Sequence, residues 1–277
     1  MTLLNQRPPR KCIFCGASRD ITKEHIFAEW LQRYLPKEKK PRAHFSKDIS
    51  GFDQHGNPIY KTFLGRLNRP GGFVKQKLRV VCARCNNGWM SALQSRTKPI
   101  LIPLMKGDDC KIGQEQKVIL SAWATMYAMV EDHIEPGMVM VPENDRRRFY
   151  GSHRPPNNWL IWLGRYEGER FNTHFYRNIV GEVENGSPPR VLSPDLLILT
   201  FVLGCAFFHV VNSTNQHKAD FIAENYGPFL KLNLIWPDSG GAPADFNVPL
   251  QNVDVLLLRD SLKDLLRRRY ERPNISE

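Results

Sequence analysis

Apolar residues along the chain fall into two patterns. In "IFAEWLQRYL", residues 26–35, Ile26, Trp30, Leu31, Tyr34 and Leu35 recur at the three- and four-residue spacing of one helical face, which ends before Pro36. The spacing returns in "EQKVILSAWATMYAMVED", where Ile119, Trp123, Met126 and Val130 predict a core helix, and "DVLLLRDSLKDLLRRRY" predicts a closing one. The second pattern lies between them. "NWLIWLGRY", "THFYRNIVGEV", "TFVLGCAFFHVV" and "FLKLNLIW" alternate or run apolar at strand length and predict strands of one sheet. Upstream, "GRLNRPGGFVKQKLRVV" should end in the strand that delivers Cys82, and His55-Gly56-Asn57-Pro58 reads as a turn joining two short strands.

Helical and strand patterns in one chain predict an α+β fold. A boundary is expected near "SRTKPILIPLMKGDD", which makes residues 1–96 one module with a basic insertion at 36–77, and residues 97–277 a mixed α/β domain without an assigned role. The 277 residues are 42% hydrophobic and 24% charged, which suits a globular protein and argues against disorder. "MTLLNQRPPRK" turns polar after four residues, so no secretory signal is expected. The longest apolar run, Leu196 to Val211, is shorter than the roughly 20 residues of a membrane span and reads as core. The expectation is therefore a cytoplasmic protein without a membrane partner; oligomeric state is not legible.

Charge changes this picture once it is located. The net charge is +11; residues 1–99 hold 20 Lys+Arg against 6 Asp+Glu, and residues 100–277 hold 19 against 22. All the positive excess thus sits in the first third. A basic module on a slightly acidic body suits a polyanion, because each neutralised phosphate releases counterions; a solvated basic face is the alternative reading. Lys37, Lys39, Lys40, Arg42, Arg66, Arg69, Lys75 and Lys77 in the insertion, with Arg84 beyond it, are the candidate phosphate contacts. Phe63 and Phe73 are expected to pack rather than stack on bases.

Of six cysteines, four form two C-x-x-C pairs, Cys12/Cys15 and Cys82/Cys85, with 66 residues between them. Two thiolates two residues apart grip one metal from a tight turn, and four complete the closed tetrahedral sphere of structural zinc. Disulfides are the competing reading, disfavoured in a cytoplasmic chain. Cys110 and Cys205 are left over and read as small buried hydrophobes.

A zinc at those four residues would bring "TKEHIFAEW" close to "CNNGWMS". One metal-tied unit would then hold a carboxylate (Glu24), an imidazole (His25) and two amides (Asn86, Asn87). Hydrolysis of a phosphodiester needs a base for water and a divalent cation for the charge on phosphate and leaving oxygen. His25 suits the first, and hard oxygen ligands suit Mg²⁺ or Mn²⁺. His44 and His55 are open as extra ligands, though lone loop histidines read first as solvated; His133, His153, His174 and His209 show no metal spacing, and His209, inside an apolar run, reads as a satisfied core histidine.

These residues resemble the HNH, or ββα-metal, nuclease family, in its zinc-stapled branch. There a first C-x-x-C is followed by Asp/Glu-His-Ile, here Glu24-His25-Ile26, and a second is followed at once by Asn or His, here Asn86. The match covers roughly residues 10–95. The resemblance implies a zinc-bound ββα-metal module and a metal-dependent endonuclease acting on nucleic acid, with DNA the expected substrate. It makes His25 the general base, Glu24 and Asn86 the ligands of a catalytic Mg²⁺ or Mn²⁺, and the four cysteines holders of a zinc that does no chemistry. Asn87 stays open as the alternate ligand, because neighbours on a helix point about 100° apart. Two positions depart from the family: Ala28 stands where many members have proline, and Lys77 where a middle asparagine orients the base. Asn57 or Asn68 could replace the latter. The departures favour the alternative reading, a non-catalytic zinc module that binds DNA or RNA; a third is a structural adaptor.

Overall fold

A strand whose residues are apolar on both sides must be covered on both faces, and the central strands of this protein are. The computed structural model describes residues 11–35, 45–52, 58–64, 76–171, 173–180, 183–184, 190–191, 195–226, 231–237 and 243–258. The strands β5 (Trp159–Arg165), β6 (Thr173–Val180), β9 (Leu196–Leu203), β10 (Ala206–Ser213) and β11 (Asn233–Trp236) form an antiparallel sheet in the order β11-β5-β10-β9-β6. Leu197, Leu199, Phe201, Phe208 and Val210 belong to a core shared with α3 (Gln114–Glu131). Alternate residues, Ile198, Val202, Phe207 and Val211, pack with Ile222 and Tyr226 of α5 (Gln216–Asn225) and its following residue, and with Val255 and Leu258 of a helix at 252–258. The result is a mixed α/β body built on antiparallel sheet, with the four apolar stretches read as strands of one sheet all in it.

The N-terminal part is smaller. β1 (Ile21–His25) pairs antiparallel with β4 (Lys77–Cys82), and β2 (Phe45–Phe52) pairs with β3 (Pro58–Leu64). The turn expected at residues 55–58 falls largely outside the described residues. After β4 the chain runs through a short helical turn, α1 (Ala83–Cys85), and a widened turn at Asn86–Met90 into α2 (Ser91–Lys106), with a kink at Gly88. α4 (Glu143–Ser152) precedes the large sheet, and two short strands, β7 (Val183–Glu184) and β8 (Arg190–Val191), pair with each other.

One expectation changes, and a second meets a continuous helix. The helix read over residues 26–35 is only a 3-10 turn at Glu29–Arg33, because the Ile26 N–H is drawn to the Gln76 carbonyl (2.9 Å) and Ala28 is extended. Ile26, Leu31 and Leu35 are buried as the periodicity required, but Tyr34 is 39% exposed. The boundary expected at residue 96 lies inside α2, a continuous helix of 16 residues, and one apolar core runs from Cys12 and Phe14 through α2 and α3 to the sheet. The sheet is also tied directly to α2: Cys205, in the turn between β9 and β10, donates its N–H to the Met105 carbonyl at 2.9 Å. Its neighbour Gly204 has φ +61°, and a Cβ there would lie 2.3 Å from the same oxygen, so only glycine fits. Among the described residues no helix is long and apolar enough to cross a membrane, and the run from Leu196 to Val211 is the β9–β10 hairpin.

His209 is fully buried on β10. One ring nitrogen, Nδ1, pairs with the Thr200 hydroxyl at 2.8 Å, and Nε2 has no partner among the described residues, so this core histidine is half satisfied rather than fully. Burial pushes its pKa down to about 3, and burial also pushes that of His133 down to about 4. The unfolded chain takes up these protons below about pH 6.5 while the native state does not, so stability is retained above that pH and lost as pH falls from about 6.5 toward 4. Replacing His209 with leucine should flatten the fall by up to one proton, about 1.4 kcal/mol per pH unit, in urea midpoints measured between pH 4 and 7. An unchanged slope would contradict the assignment.

Candidate metal centre and adjoining cavity

The two C-x-x-C pairs converge. "CIFCG" forms a tight turn in which Gly16, at φ +75°, donates to the Cys12 carbonyl (2.9 Å) and Cys12 donates to the Ala17 carbonyl (2.7 Å). Ile13 donates to Val80 and Ala83 to Asp20, which clamps this turn to the end of β4, where Cys82 leads into α1. The four sulfur atoms lie within 4.8 Å of one another, and Cys15 Sγ and Cys82 Sγ are 3.5 Å apart. Tetrahedral zinc with Zn–S bonds near 2.3 Å needs sulfurs about 3.8 Å apart, so the cluster can hold such a structural ion.

The surroundings fit one as well. Cys12, Cys82 and Cys85 are buried, and burial pushes the thiols of Cys15 and Cys85 up, disfavouring thiolates unless a cation offsets their charge. The indole N–H of Trp89 is buried without an oxygen or nitrogen acceptor and lies beside Cys85, whose thiolate would accept it. Trp89 also meets Phe14 edge-on (4.9 Å between centroids) and stacks on His153 (4.9 Å), sealing the cluster against α4. Arg146 of α4 donates from Nε to the Ile13 carbonyl (3.2 Å) and from Nη1 to the Val141 carbonyl.

The β1–β4 ladder carries the polar residues away from this cluster. Ile21 pairs with Cys82 at one end and His25 with Lys77 at the other, with a bulge between Thr22 and Glu24. Asn86 reaches back across it: its Nδ2 donates to Thr22 Oγ1 at 3.3 Å, and its side chain hydrogen-bonds the Glu24 carboxyl. Glu24 is 8% exposed. Burial raises its pKa to about 7 against the opposing effects of Asn86 and of the Lys77 charge. Burial, aided by Lys77, lowers the pKa of half-buried His25, so its imidazole is neutral near pH 7 and has a nitrogen lone pair to offer. Glu24, His25, Asn86 and Asn87 all line one cavity of about 650 Å³. Of the two amides, Asn86 is the one bonded to Glu24.

No family model, curated protein or solved structure matches the chain.

What the site can do therefore rests on its geometry. Lys77 and Arg84 are exposed on either side of Cys82, whereas Lys37, Lys39, Lys40, Arg42, Arg66, Arg69 and Lys75 lie outside the described residues, as do Asn57 and Asn68. The residue facing His25 across the ladder is Lys77, at the position where the resemblance implies a middle asparagine. Sequence reasoning missed the far wall of the cavity, formed by Trp30, Arg33, Gln94 and Lys98. Its signal was present: Ser91, Gln94, Ser95 and Lys98 form a polar stripe at helical spacing on α2, opposite buried Leu93, Ile100, Leu101 and Leu104. Cys110 and Cys205, expected as buried hydrophobes, are instead partly exposed and line a separate cavity of about 570 Å³ with Asp108, Arg165 and Asp245.

Proposed function

We propose that this protein is a metal-dependent endonuclease of the HNH type, hydrolysing phosphodiester bonds in nucleic acid, with DNA as the expected substrate. The observation that supports it best is the meeting of a buried carboxyl (Glu24), a neutral imidazole (His25) and an amide (Asn86) in one cavity, on a strand pair that ends at the four-cysteine cluster. His25 takes a proton from the attacking water as the water oxygen bonds to phosphorus, the bond from phosphorus to the 3′ oxygen breaks, and the departing oxygen takes up a proton from solvent while His25 returns its own to solvent. Glu24 and the Asn86 amide oxygen would hold Mg²⁺ or Mn²⁺, which supplies charge neutralisation for the phosphate and the departing oxygen. Burial leaves the Glu24 carboxyl protonated part of the time near neutral pH, and a bound cation would displace that proton. The four cysteines would keep zinc away from the chemistry and hold β1 against α1.

Incubation of supercoiled plasmid with purified protein and Mg²⁺ or Mn²⁺ tests this reading directly: nicked and linear forms are expected with either cation and none with chelator. A second reading, a non-catalytic zinc module that binds DNA or RNA, draws on the lysine opposite His25; it predicts binding without cleavage. Both readings require phosphate contacts. Affinity for nucleic acid should fall steeply with salt, by roughly one unit of log–log slope per contact, and neutralising Lys39, Lys40 and Arg42 together should flatten the slope by up to about three units. Affinity indifferent to salt would place the interface elsewhere.

A further inference from the structure

The far wall of the cavity is built for something flatter than a phosphate. Trp30 is half-buried there, with one part of its ring system packed on the core, and its indole N–H is fixed by a 2.8 Å hydrogen bond to Gln94 Oε1. Tyr34 meets it edge-on with centroids 6.3 Å apart. The Lys98 ammonium sits 5.7 Å from the ring centroid. Lys98 forms no ion pair among the described residues, in contrast to Arg96 on the same helix, which faces Glu115 at 3.7 Å. An indole locked in one orientation, a cation held over it without a carboxylate to neutralise it, and a cavity shared with Glu24 and His25 make one composite surface.

Resting on the nuclease reading, we propose that this surface binds an unpaired nucleotide, its base taking the place of the Lys98 ammonium over Trp30 and an adjoining phosphate drawing that ammonium aside, so that the substrate is single-stranded or locally unpaired nucleic acid. An indole offers every base a π-face, and a neighbouring cation holds the backbone; this pairing is how single strands are gripped without sequence preference. A base in an intact duplex is covered above and below by its neighbours and reaches such a wall only by leaving the stack. The cavity, about 650 Å³, is the size of a site for one small molecule and not for a double helix. Lys98 is a positioning residue in this account: it orients phosphate and takes no part in proton transfer.

The test uses the full-length zinc-loaded protein and a fluorescent oligonucleotide, offered as a single strand and as a blunt duplex, with anisotropy titrations in the absence of added Mg²⁺ or Mn²⁺. The single strand should bind at least about ten-fold tighter. Trp30→Leu should weaken single-strand binding roughly ten- to a hundred-fold with little effect on the duplex, and Trp30→Phe, which keeps a stacking face, should recover most of it. Lys98→Ala should lower the salt slope for the single strand by about one unit and raise KM while leaving kcat nearly unchanged; Lys98→Arg should restore both. Zinc content and far-UV circular dichroism establish that each variant is folded, and Lys98→Ala, at a half-exposed position, serves if Trp30→Leu is not. Equal affinity for both forms, indifferent to Trp30→Leu and Lys98→Ala, overturns the inference. Cleavage assayed in parallel separates it from the reading beneath it: no metal-dependent cleavage of either form by the wild type overturns the nuclease assignment, whereas cleavage as fast on duplex as on single strand and insensitive to Trp30→Leu overturns the unpaired-nucleotide inference alone.

Discussion

Cys82→Ser should yield protein that is unfolded or aggregated, while the wild type should purify with about one tightly bound zinc per chain. A preformed four-thiolate site contributes on the order of 10 kcal/mol to folding, comparable to the whole stability of a typical domain. The loss cannot stay local. Cys82 is the last residue of β4, its ladder partner Ile21 opens β1, and the neighbouring turn at Ile13 and Phe14 packs against Trp89 and α4. Removing one sulfur leaves three thiols gathered in a buried cluster with nothing to offset their crowding. Metal content by mass spectrometry and thermal melting with and without a strong chelator decide the matter. A well-folded wild type free of zinc, with a melt that ignores chelator, would end the structural-metal account.

His25→Ala should lower cleavage by about 10² or more, the usual worth of a positioned general base, and leave zinc content, melting and nucleic-acid binding nearly unchanged. The side chain is half-buried at the end of a two-strand ladder, so little packing goes with it. Glu24→Ala should behave differently. Activity should fall, and part of it should return as Mg²⁺ or Mn²⁺ is raised, because what has been weakened is cation affinity. Melting of this variant should hold or rise slightly, since a buried carboxyl with a pKa near 7 is a group the fold keeps at a cost. A merely structural Glu-His pair at the end of a strand predicts the reverse pattern, a modest loss of stability and no loss of activity. Cleavage by His25→Ala at the wild-type rate, in protein free of contaminating nuclease, would sink the catalytic assignment and leave the binding module as the better account.

Much of the site was legible because its constraints are local. Two C-x-x-C pairs announce a four-sulfur cluster whatever lies between them, and the apolar strands from Trp159 to Trp236 declare a covered sheet by composition alone. Residues whose role depends on packing between distant segments were not legible. Trp30 read as one apolar position among five on a helical face; that helix is truncated because Ile26 continues the β1–β4 pairing, a long-range hydrogen bond to Gln76 that no window of ten residues contains. Which of Asn86 and Asn87 bonds Glu24 likewise depends on the widened turn at Asn86–Met90, whose geometry is not that of a regular helix. The boundary near residue 96 was drawn where composition changes, and composition is blind to a continuous helix whose buried residues belong to one core with segments on both sides of it.

The guanidinium of Arg146 ties the metal-binding turn to the rest of the chain. It holds a backbone carbonyl of the metal-binding turn with one nitrogen and a carbonyl next to α4 with another, so the two parts share hydrogen bonds as well as a core. A metal-tied module that folded by itself could be moved from one chain to another like a bead on a string. Here the turn that carries Cys12 and Cys15 borrows a donor from 130 or so residues downstream, and the helix that follows Cys85 ends against the turn of the large sheet. Without the C-terminal part, the Ile13 and Met105 carbonyls would both lose these donors.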